Sequence, residues 1–437
     1  MGRPCSLPLA VLVLSVAVCP AFAQAPSHEL VSRAHSMLGQ IRDDLKQYYY
    51  DSTFGGMDLN AKYRHVDSTL DQASTIGELL GNIAQFLFDL HDSHTKFFPP
   101  GRAADVEYGW RWSTFGNDGY ITSVNKGSDA EAKGLAVGDR VVSIDGMTPT
   151  RDSRWIINYL YNALNPRAGM HVQIMHADHG LVEVDVLAKV TPRERVVDYG
   201  DMATRSRLID QYHDAVNAQR HWWREFGDTV LVWHFLQFKY DDEGIDEMMN
   251  RAAGHKTLII DLRNNGGGSG EAILRLLGHF VDHPTRVEID RRRTKSDTLM
   301  AQPTKHAFHG NVIVLINANS ASASEITARF LQLEGYATIV GDRSAGAVMG
   351  SQFFYHDAGF QKYVSYADQI TVEDVIMNDG SRLENTGVTP EWIVVPTGAD
   401  LAAKRDPQMT KALALAGIQL DPVQAAKIYS KDFARAP

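Results

Sequence analysis

The chain has 437 residues, of which 44% are hydrophobic and 22% are charged, and its net charge at pH 7 is −10. This length predicts about three domains, and the composition is typical of a folded globular protein and excludes a disordered one. A dedicated nucleic-acid-binding protein normally carries a basic stripe, so the acidic balance argues against a nucleic-acid partner.

The N-terminus has the three parts of a secretory signal. Arg3 precedes the apolar run Leu7–Val18, and Ala21–Ala23 has the small-residue pattern of a cleavage site. The run is too short to span a bilayer. We therefore predict that residues 1–23 are cleaved after Ala23 and that the protein is secreted, with the periplasm as its expected compartment. A retained anchor and a lipidated Cys19 are the alternatives.

Both cysteines of the chain, Cys5 and Cys19, lie inside this predicted signal. The mature chain, starting at Gln24, is thus expected to have no disulfide, no thiol nucleophile and no thiolate metal site. No other apolar run is long enough to span a membrane, so we expect no integral membrane segment in the mature chain.

Residues 24–104 are predicted to form an N-terminal helical domain. Apolar residues recur at helical spacing over 30–41 and again over 79–87. The turn-forming segment Pro99–Gly101 breaks the chain after them.

Residues 105–190 have the pattern of a small β-rich domain. Four strands are predicted, with a helical segment over Ser153–Leu164 between the second and the third. The predicted strands are Tyr120–Val124, Arg140–Ile144, Met170–His176 and Leu181–Ala188.

Residues 191–400 are predicted to form the core domain, because from about residue 225 they alternate strands and helices as an α/β layer with mostly parallel strands does. The predicted strands are Thr229–Phe235, Thr257–Leu262, Val312–Ile316 and Ala337–Val340. A helical, alanine-rich tail over 401–437 follows. Function in open α/β sheets concentrates at the carboxyl ends of the strands, and two of these ends carry unusual residues.

The strand predicted over 257–262 runs into a glycine-rich turn, since residues 261–268 have the sequence DLRNNGGG. Glycines permit positive φ angles and leave backbone N–H groups exposed, which suits an anion or an oxyanion. A phosphate-binding loop is disfavoured because no Lys-Ser/Thr pair follows and the G-x-G-x-x-G spacing is not kept. A plain tight turn is the structural alternative.

The strand predicted over 312–316 runs into a serine-rich turn, since residues 317–326 have the sequence NANSASASEI. A serine at a strand-to-helix turn can project its Oγ beside the next backbone N–H, as a catalytic nucleophile does. Ser320 or Ser322 can equally serve as the N-cap of the helix, and composition alone favours the cap.

A serine nucleophile needs a base, and His94 lies near the end of a predicted helix. His91 and His94 could also pair as H-x-x-H metal ligands on one helical face, although no third ligand is evident. A histidine that interacts with the helix dipole is the structural alternative.

Together these segments resemble the tail-specific, or C-terminal processing, serine peptidases and their relative, the tricorn core protease. The resemblance rests on residues 261–268, on the SASASE turn over 320–325, on the loop over 341–352 and on the sequence GVTP over 387–390. It covers nearly the whole mature chain, and residues 105–190 are similar to the PDZ-type domain of many members. It implies an α/β core built as a crotonase- or ClpP-like ββα superhelix, with an N-terminal helical bundle and a PDZ-like β-rich domain.

The resemblance makes Ser322 the nucleophile. Its oxyanion hole would be the N–H of Ala323 together with one N–H of the glycine turn, taken here as that of Gly267. In Ser-Lys members the lysine base falls where this chain has Ala347, and no lysine lies between Ser322 and Lys362. A Ser-Lys dyad from that loop is therefore ruled out.

The tricorn branch uses a histidine base instead, in a Ser-His pair near the N-terminal segment, with a glutamate shortly before the G-V-x-P motif. This chain has Ser93, His94 and Glu384 at those places. The resemblance therefore implies His94 as the base, Ser93 as the linking hydroxyl and Glu384 as the orienting carboxylate. A solvated loop carboxylate is the alternative for Glu384.

In the PDZ-like segment, Gly109, Trp110, Arg111 and Trp112 are candidate peptide-binding residues. A PDZ domain adds the peptide as a strand and holds its terminal carboxylate with backbone N–H groups. The two tryptophans would flank an apolar pocket, and Arg111 would add charge attraction. Alternatively, the tryptophans share one face of a strand and simply pack in the core.

The sequence and the resemblance together predict a secreted serine endopeptidase that cleaves polypeptides near their C-termini through an acyl-enzyme on Ser322, with His94 as base. We expect its partners to be polypeptides with free C-termini, and we expect no cofactor and no metal. One alternative is a catalytically silent peptide- or ligand-binding protein of the same fold. The other is a crotonase-like enzyme that acts on an acyl-CoA, which the predicted signal peptide disfavours because CoA is cytosolic.

Overall fold

The computed structural model describes residues 25–101, 104–177, 180–192, 222–238, 242–359 and 364–430. The predicted signal over 1–23 lies outside the described residues. Among those that are described, no helix combines the length and the apolar character needed to cross a membrane.

Three helices open the described chain: α1 His28–Tyr48, α2 Leu59–Leu70 and α3 Ile76–Phe88. Each begins at a side chain that accepts a hydrogen bond from a backbone N–H of the first turn, namely Ser27, Asp58 and Thr75. Their apolar faces pack into one buried cluster. The helical character predicted for this segment is confirmed.

Residues 104–192 are rich in β-structure. Five strands form an antiparallel sheet in the order β3-β4-β5-β6-β7. They are β3 Trp110–Phe115, β4 Asp118–Val124, β5 Arg140–Ile144, β6 Gly169–His176 and β7 Gly180–Leu187. Two short helices, α4 Asp129–Ala132 and α5 Arg154–Tyr159, accompany the sheet, and a π-type turn over Leu160–Leu164 extends the second helix. Strands β2 Ala104–Glu107 and β8 Lys189–Pro192 pair with each other at the ends of the segment.

A six-stranded sheet forms the centre of the remaining chain, in the order β18-β15-β14-β11-β10-β9. Every pairing in it is parallel except that of β9 with β10. The strands are β9 Trp222–Phe226, β10 Val230–His234, β11 Thr257–Asp261, β14 Asn311–Ile316, β15 Ala337–Gly341 and β18 Trp392–Ile393. The predicted parallel α/β layer is therefore confirmed.

Both faces of this sheet are covered by helices. Alternate residues of β14 show the division, because Val312, Val314 and Ile316 enter one apolar cluster while Ile313 and Leu315 enter another. The first cluster includes α6 Asp242–Ala252, α7 Gly270–Leu277 and α8 Ala323–Leu333. The second includes α10 Pro407–Leu415 and α11 Pro422–Ala425, and the short α9 Gly398–Ala402 precedes them.

A second sheet links the helical segment to the core. It runs β1-β17-β12-β13, and β16 also pairs with β17. Its strands are β1 Lys96–Phe98, β12 Thr285–Arg291, β13 Ser296–Ala301, β16 Met349–Ala358 and β17 Val364–Met377. Because β1 begins two residues after His94, its pairing with β17 connects the His94 segment to the core.

Candidate active site

Three loops meet at one edge of the central sheet. Strands β11, β14 and β15 are parallel neighbours, so their carboxyl ends at Asp261, Ile316 and Gly341 lie along the same edge. Backbone hydrogen bonds join the loops that follow: Ala321 N donates to Asn265 O at 3.0 Å, and Ser322 N donates to Ala347 O at 2.9 Å. The glycine-rich turn, the serine-rich turn and the loop over 342–348 therefore form one unit.

Two serines of the serine-rich turn are structural. The Ser320 hydroxyl donates to Leu262 O at 2.8 Å, and the Ser324 hydroxyl donates to Asn265 O at 2.9 Å. Both side chains are fully buried. Ser322, between them, is only half-buried, so among these three serines it is the accessible one.

The backbone of Ser322 is in a sparsely populated conformation, with φ 56° and ψ −119°. A non-glycine residue persists there only when its surroundings hold it, and such strain clusters at active sites. Ser322 stands immediately before α8, whose first residue is Ala323. The first N–H groups of a helix have no intrahelical acceptor, so the Ala323 amide is suited to an anion beside the serine.

Gly267 lies against this turn. A Cβ added to Gly267 would come within 2.7 Å of Ser322 Cβ and 3.0 Å of Ala323 N, and its φ of 98° favours glycine. The glycine turn thus borders the serine, as predicted. The Gly267 N–H itself donates to the Asn265 side-chain oxygen at 2.9 Å, and Asn265 is completely buried.

A connected set of side chains surrounds His94. The Ser93 hydroxyl lies 2.7 Å from His94 Nδ1 and donates to Glu384 Oε2 at 2.9 Å. The Ser93 backbone N–H also donates to Glu384 Oε1 at 2.8 Å. Glu384, which lies 291 residues from Ser93 in sequence, is therefore brought to the Ser93–His94 pair, and the Ser93 hydroxyl occupies Nδ1 of the imidazole.

Burial has the largest effect on the pKa values of His94 and Glu384. It lowers the pKa of His94 to about 4, and the positive charge of Lys96 acts in the same direction while Asp92 opposes it. Burial also raises the pKa of Glu384, although its hydrogen bonds from Val348 and Ser93 pull the other way. His94 is therefore a neutral imidazole at pH 7, which is the state a general base requires.

The loop over 342–348 connects the histidine group to the serine turn. Val348 N donates to Glu384 Oε2 at 2.7 Å, while the neighbouring Ala347 accepts from Ser322 N. Position 347, which carries the lysine base in Ser-Lys peptidases, thus contributes its backbone here.

Glu325 is a residue of the site that the sequence analysis did not single out. Its carboxylate accepts hydrogen bonds from Ser344 Oγ at 2.6 Å and from Gly346 N at 2.7 Å on one oxygen. The other oxygen accepts from Ala347 N at 2.9 Å and Ser322 N at 3.1 Å. Burial raises the pKa of Glu325 to about 7 in spite of these bonds. The S-x-x-E spacing from Ser322 was the available signal.

The H-x-x-H metal pair rested on a helix that ends too early. Helix α3 ends at Phe88, so His91 and His94 both lie beyond it, and His91 has a φ of 56°. Within the part of the chain that the structure describes, neither histidine belongs to a group of three metal-type ligands. The prediction that His91 and His94 share one helical face is therefore wrong.

The candidate peptide-binding residues lie along the edge of the five-stranded sheet. Trp110, Arg111 and Trp112 belong to β3, which follows Gly109 and pairs with β4. Trp110 is buried, yet its indole Nε1 has no hydrogen-bond partner. All three side chains line a cavity of about 490 Å³. Its remaining lining residues are Tyr108, Ile144, Ile157, Asn158, Tyr161, Asn162 and Met170.

Sequence comparison relates this chain to C-terminal processing peptidases. Residues 230–394 match the model of peptidase family S41. The carboxyl-terminal-processing protease of Picosynechococcus sp. is 28% identical over 299 residues, which cover 66% of this chain and 64% of the relative. The carboxy-terminal processing protease CtpA of Bacillus subtilis is 22% identical over 345 residues, or 76% of this chain and 67% of the relative. The chain spans about two thirds of the length of these curated relatives.

The fold is similar to that of CPAF, which is known from several solved structures. Mature CPAF superimposes with a TM-score of 0.66 at 16% identity, covering 92% of this chain and 98% of that one. CPAF complexed with lactacystin gives a TM-score of 0.63 over 92% of this chain and 99% of that one. The resemblance to C-terminal processing serine peptidases is confirmed.

Proposed function

We propose that the protein is a serine endopeptidase with Ser322 as nucleophile and His94 as general base. The match of residues 230–394 to the model of peptidase family S41 supports this activity. The observation that carries the proposal is the hydrogen-bonded path between Ser322 and His94. It runs from His94 through Ser93 to Glu384, then through Val348 and Ala347 to the amide of Ser322. One short loop thereby holds the nucleophile and the orienting carboxylate of the base.

The chemistry follows from these positions. His94 Nε2 takes the proton of the Ser322 hydroxyl as Oγ attacks the scissile carbonyl, and the protonated imidazole then gives that proton to the departing amine. A water molecule then attacks the acyl-enzyme with the same proton transfers through His94, which releases the acid product and restores the Ser322 hydroxyl. The Ala323 N–H stabilises the oxyanion. The Gly267 N–H joins it when it exchanges the Asn265 oxygen for that of the substrate.

Labelling with a fluorophosphonate probe, together with turnover of an unfolded protein substrate, tests the assignment. Ser322→Ala removes one half-buried hydroxyl and should abolish labelling and lower kcat by about 10⁴-fold or more, with an unchanged Tm. His94→Ala should lower kcat to a similar extent. Ser324→Ala is the matched serine control. The Ser324 hydroxyl donates to Asn265 O, so its removal should lower Tm, whereas labelling per folded molecule should stay near that of the wild type.

Loss of labelling in Ser324→Ala at full stability, with Ser322→Ala still reactive, would contradict the choice of nucleophile. A wild-type protein that neither labels nor cleaves would leave the catalytically silent binding protein as the better function. Near-normal turnover by His94→Ala would contradict the choice of base.

We further propose that residues 105–190 are a PDZ-like module that binds the free C-termini of polypeptides. Support comes from the cavity beside β3, from the unpartnered Trp110 Nε1 and from the exposed Arg111 at its mouth. β3 pairs only with β4 in its sheet, so its other edge can receive a peptide strand.

Fluorescence titration of the full chain in the Ser322→Ala background measures this recognition. A peptide with an apolar last residue and a free carboxylate should bind more tightly than the same peptide amidated, and Arg111→Ala should reduce the difference. Arg140, exposed and paired with Asp118 at 3.5 Å, is the control position. Equal affinity for acid and amide would remove carboxylate recognition.

The finer architecture and the location complete the proposal. We assign the core to a crotonase-like superhelix because its parallel strands and helices alternate. The signal over 1–23 directs export to the periplasm, and N-terminal sequencing of the exported protein should give Gln24 as the first residue. A start at Met1 in that fraction would contradict the cleavage.

A further inference from the structure

A histidine and two aspartates from three separate elements converge away from the serine site. His356 is on β16, Asp44 is on α1 and Asp368 is on β17. His356 Nε2 lies 2.9 Å from Asp44 Oδ2 and 2.9 Å from Asp368 Oδ1. One ligand atom of each residue lies within 4.8 Å of the other two. The two carboxylates are almost completely buried, with 6% and 0% of their surface exposed.

The hydrogen-bond donors available do not satisfy this cluster. Nε2 carries at most one hydrogen, so it can donate to only one of the two carboxylates, and its hydrogen-bond contact is with Asp368 Oδ1 at 2.9 Å. Asp44 Oδ2 points at the same nitrogen without receiving a hydrogen bond, and Asp368 Oδ2 is buried with no donor either. Gln40 reaches only the other oxygen of Asp44, at 3.2 Å. Unpaired buried carboxylate oxygens are costly, so the arrangement lacks a positive partner.

The net charge of the cluster points the same way. Two almost completely buried carboxylates face one imidazole, so their like charges repel each other inside the protein. Either a shared proton or a bound cation can relieve this repulsion. A proton supplies one donor for two unpaired oxygens, whereas a cation coordinates both aspartates and the imidazole at once.

We propose that Asp44, His356 and Asp368 form a structural binding site for a divalent transition-metal cation, with zinc as the best match. One imidazole nitrogen with two carboxylate oxygens is a donor set that zinc accepts, in contrast to the all-oxygen sets of calcium and magnesium. His356 is the most exposed of the three, with 17% of its side-chain surface accessible, so the cation has access from that side, where a water would complete a four-coordinate shell.

The position of the site gives the cation a mechanical role. It joins α1 of the helical segment to the β16–β17 ribbon. Asp368 is in register with Phe97 of β1, the strand that begins directly after the His94 segment. The cation therefore stabilises the attachment of the base-carrying segment to the core, and it takes no part in the hydrolytic steps.

Zinc binding by the tag-free full chain tests the site. After removal of metals with a chelator, isothermal titration with zinc chloride should show one tight equivalent, and Tm should rise with zinc concentration. His356→Gln and Asp368→Asn should each weaken zinc binding by at least about 100-fold, because even outer-shell partners of a metal site cost 10–100-fold. Asp368→Asn removes a buried charge, so it should keep or raise the Tm of the metal-free protein while it abolishes the rise with zinc.

His171→Ala is the matched control, since His171 also lies between two carboxylates, Asp185 at 2.9 Å and Glu183 at 3.9 Å, but on the surface. It should leave the tight equivalent intact. Absence of tight zinc binding in the wild type, or its persistence in both His356→Gln and Asp368→Asn, would overturn the proposal. The first outcome would assign the neutralising role to a proton on Asp368.

Discussion

His94 combines a buried environment with a cationic neighbour, and both have the same effect on its protonation. They lower its pKa to about 4, well below the usual value of about 6.5 for histidine. With His94 as the proposed base, turnover needs the neutral imidazole, and a lower pKa extends activity toward acid. We expect the acid limb of kcat/KM against pH to fall near pH 4, with most activity retained at pH 5.5. An acid limb at pH 6.5 would contradict this environment.

Lys96 provides a sharper test of the same residue. Its positive charge disfavours the imidazolium form of His94, so Lys96→Met should raise the pKa of His94 and move the acid limb toward neutral pH. Activity at pH 8 should change little, since the imidazole is neutral there in both proteins. Lys126→Met, an exposed lysine of the β-rich segment, is the control. If Lys96→Met instead abolished turnover at every pH, Lys96 would be the base.

Local motifs marked the two turns but did not select single residues within them. The resemblance selected Ser322 and Gly267 and added His94, Ser93 and Glu384; their catalytic roles stay predictions. Glu325 and Asn265 were not singled out, because an acid at a helix start and an amide in a turn are ordinary in sequence. Their importance arises from complete burial beside the turn, which only the tertiary structure determines.

At the scale of elements, the glycine turn allows a paired test. Gly267→Ala adds a Cβ that would contact Ser322 Cβ at 2.7 Å and Ala321 O at 2.8 Å, at a φ of 98°. The serine turn has to move, so kcat should fall by about 10²–10³-fold, the usual effect of losing an oxyanion donor. Gly266→Ala has no atom within 4 Å of its new Cβ and should retain most activity. Equal loss in both variants would exclude a specific contact with Ser322.

The strands of the second sheet were harder to predict than those of the first. The parallel strands have continuous apolar runs because helices cover both faces. Strand β17 instead buries Asp368, Thr371 and Asp374 within its length, which interrupts the hydrophobic pattern that marks a strand. These polar residues have tertiary partners: Thr371 Oγ1, for example, donates to Asp92 at 2.7 Å. A strand whose pattern depends on distant partners is not visible in local sequence.

Across the whole molecule, the β-rich segment is anchored directly on the loop over 342–348, which bonds both Ser322 and Glu384. Arg151 donates to Asp342 Oδ2 at 2.7 Å and to Arg343 O at 2.7 Å, and the side chains of this ion pair are only 8% and 7% exposed. Gly116 N donates to the same carboxylate oxygen at 2.9 Å. Because Asp342 begins the loop over 342–348, this ion pair connects the β-rich segment to the serine turn.

Removing Arg151 should therefore affect catalysis from outside the site. Arg151→Ala leaves the buried Asp342 charge unpaired, which costs about 3–5 kcal/mol in comparable pairs and loosens the loop that holds Ser322 and Glu384. A displacement of about 1 Å there can lower kcat by up to about 100-fold. Adding Asp342→Asn removes the unpaired charge and should recover part of both stability and turnover. Hydrogen exchange over 342–348 should speed up in the single variant. Arg140→Ala, which breaks only an exposed pair, should change neither turnover nor hydrogen exchange. An Arg151→Ala protein that matches Arg140→Ala in both measurements would show that the two segments work independently.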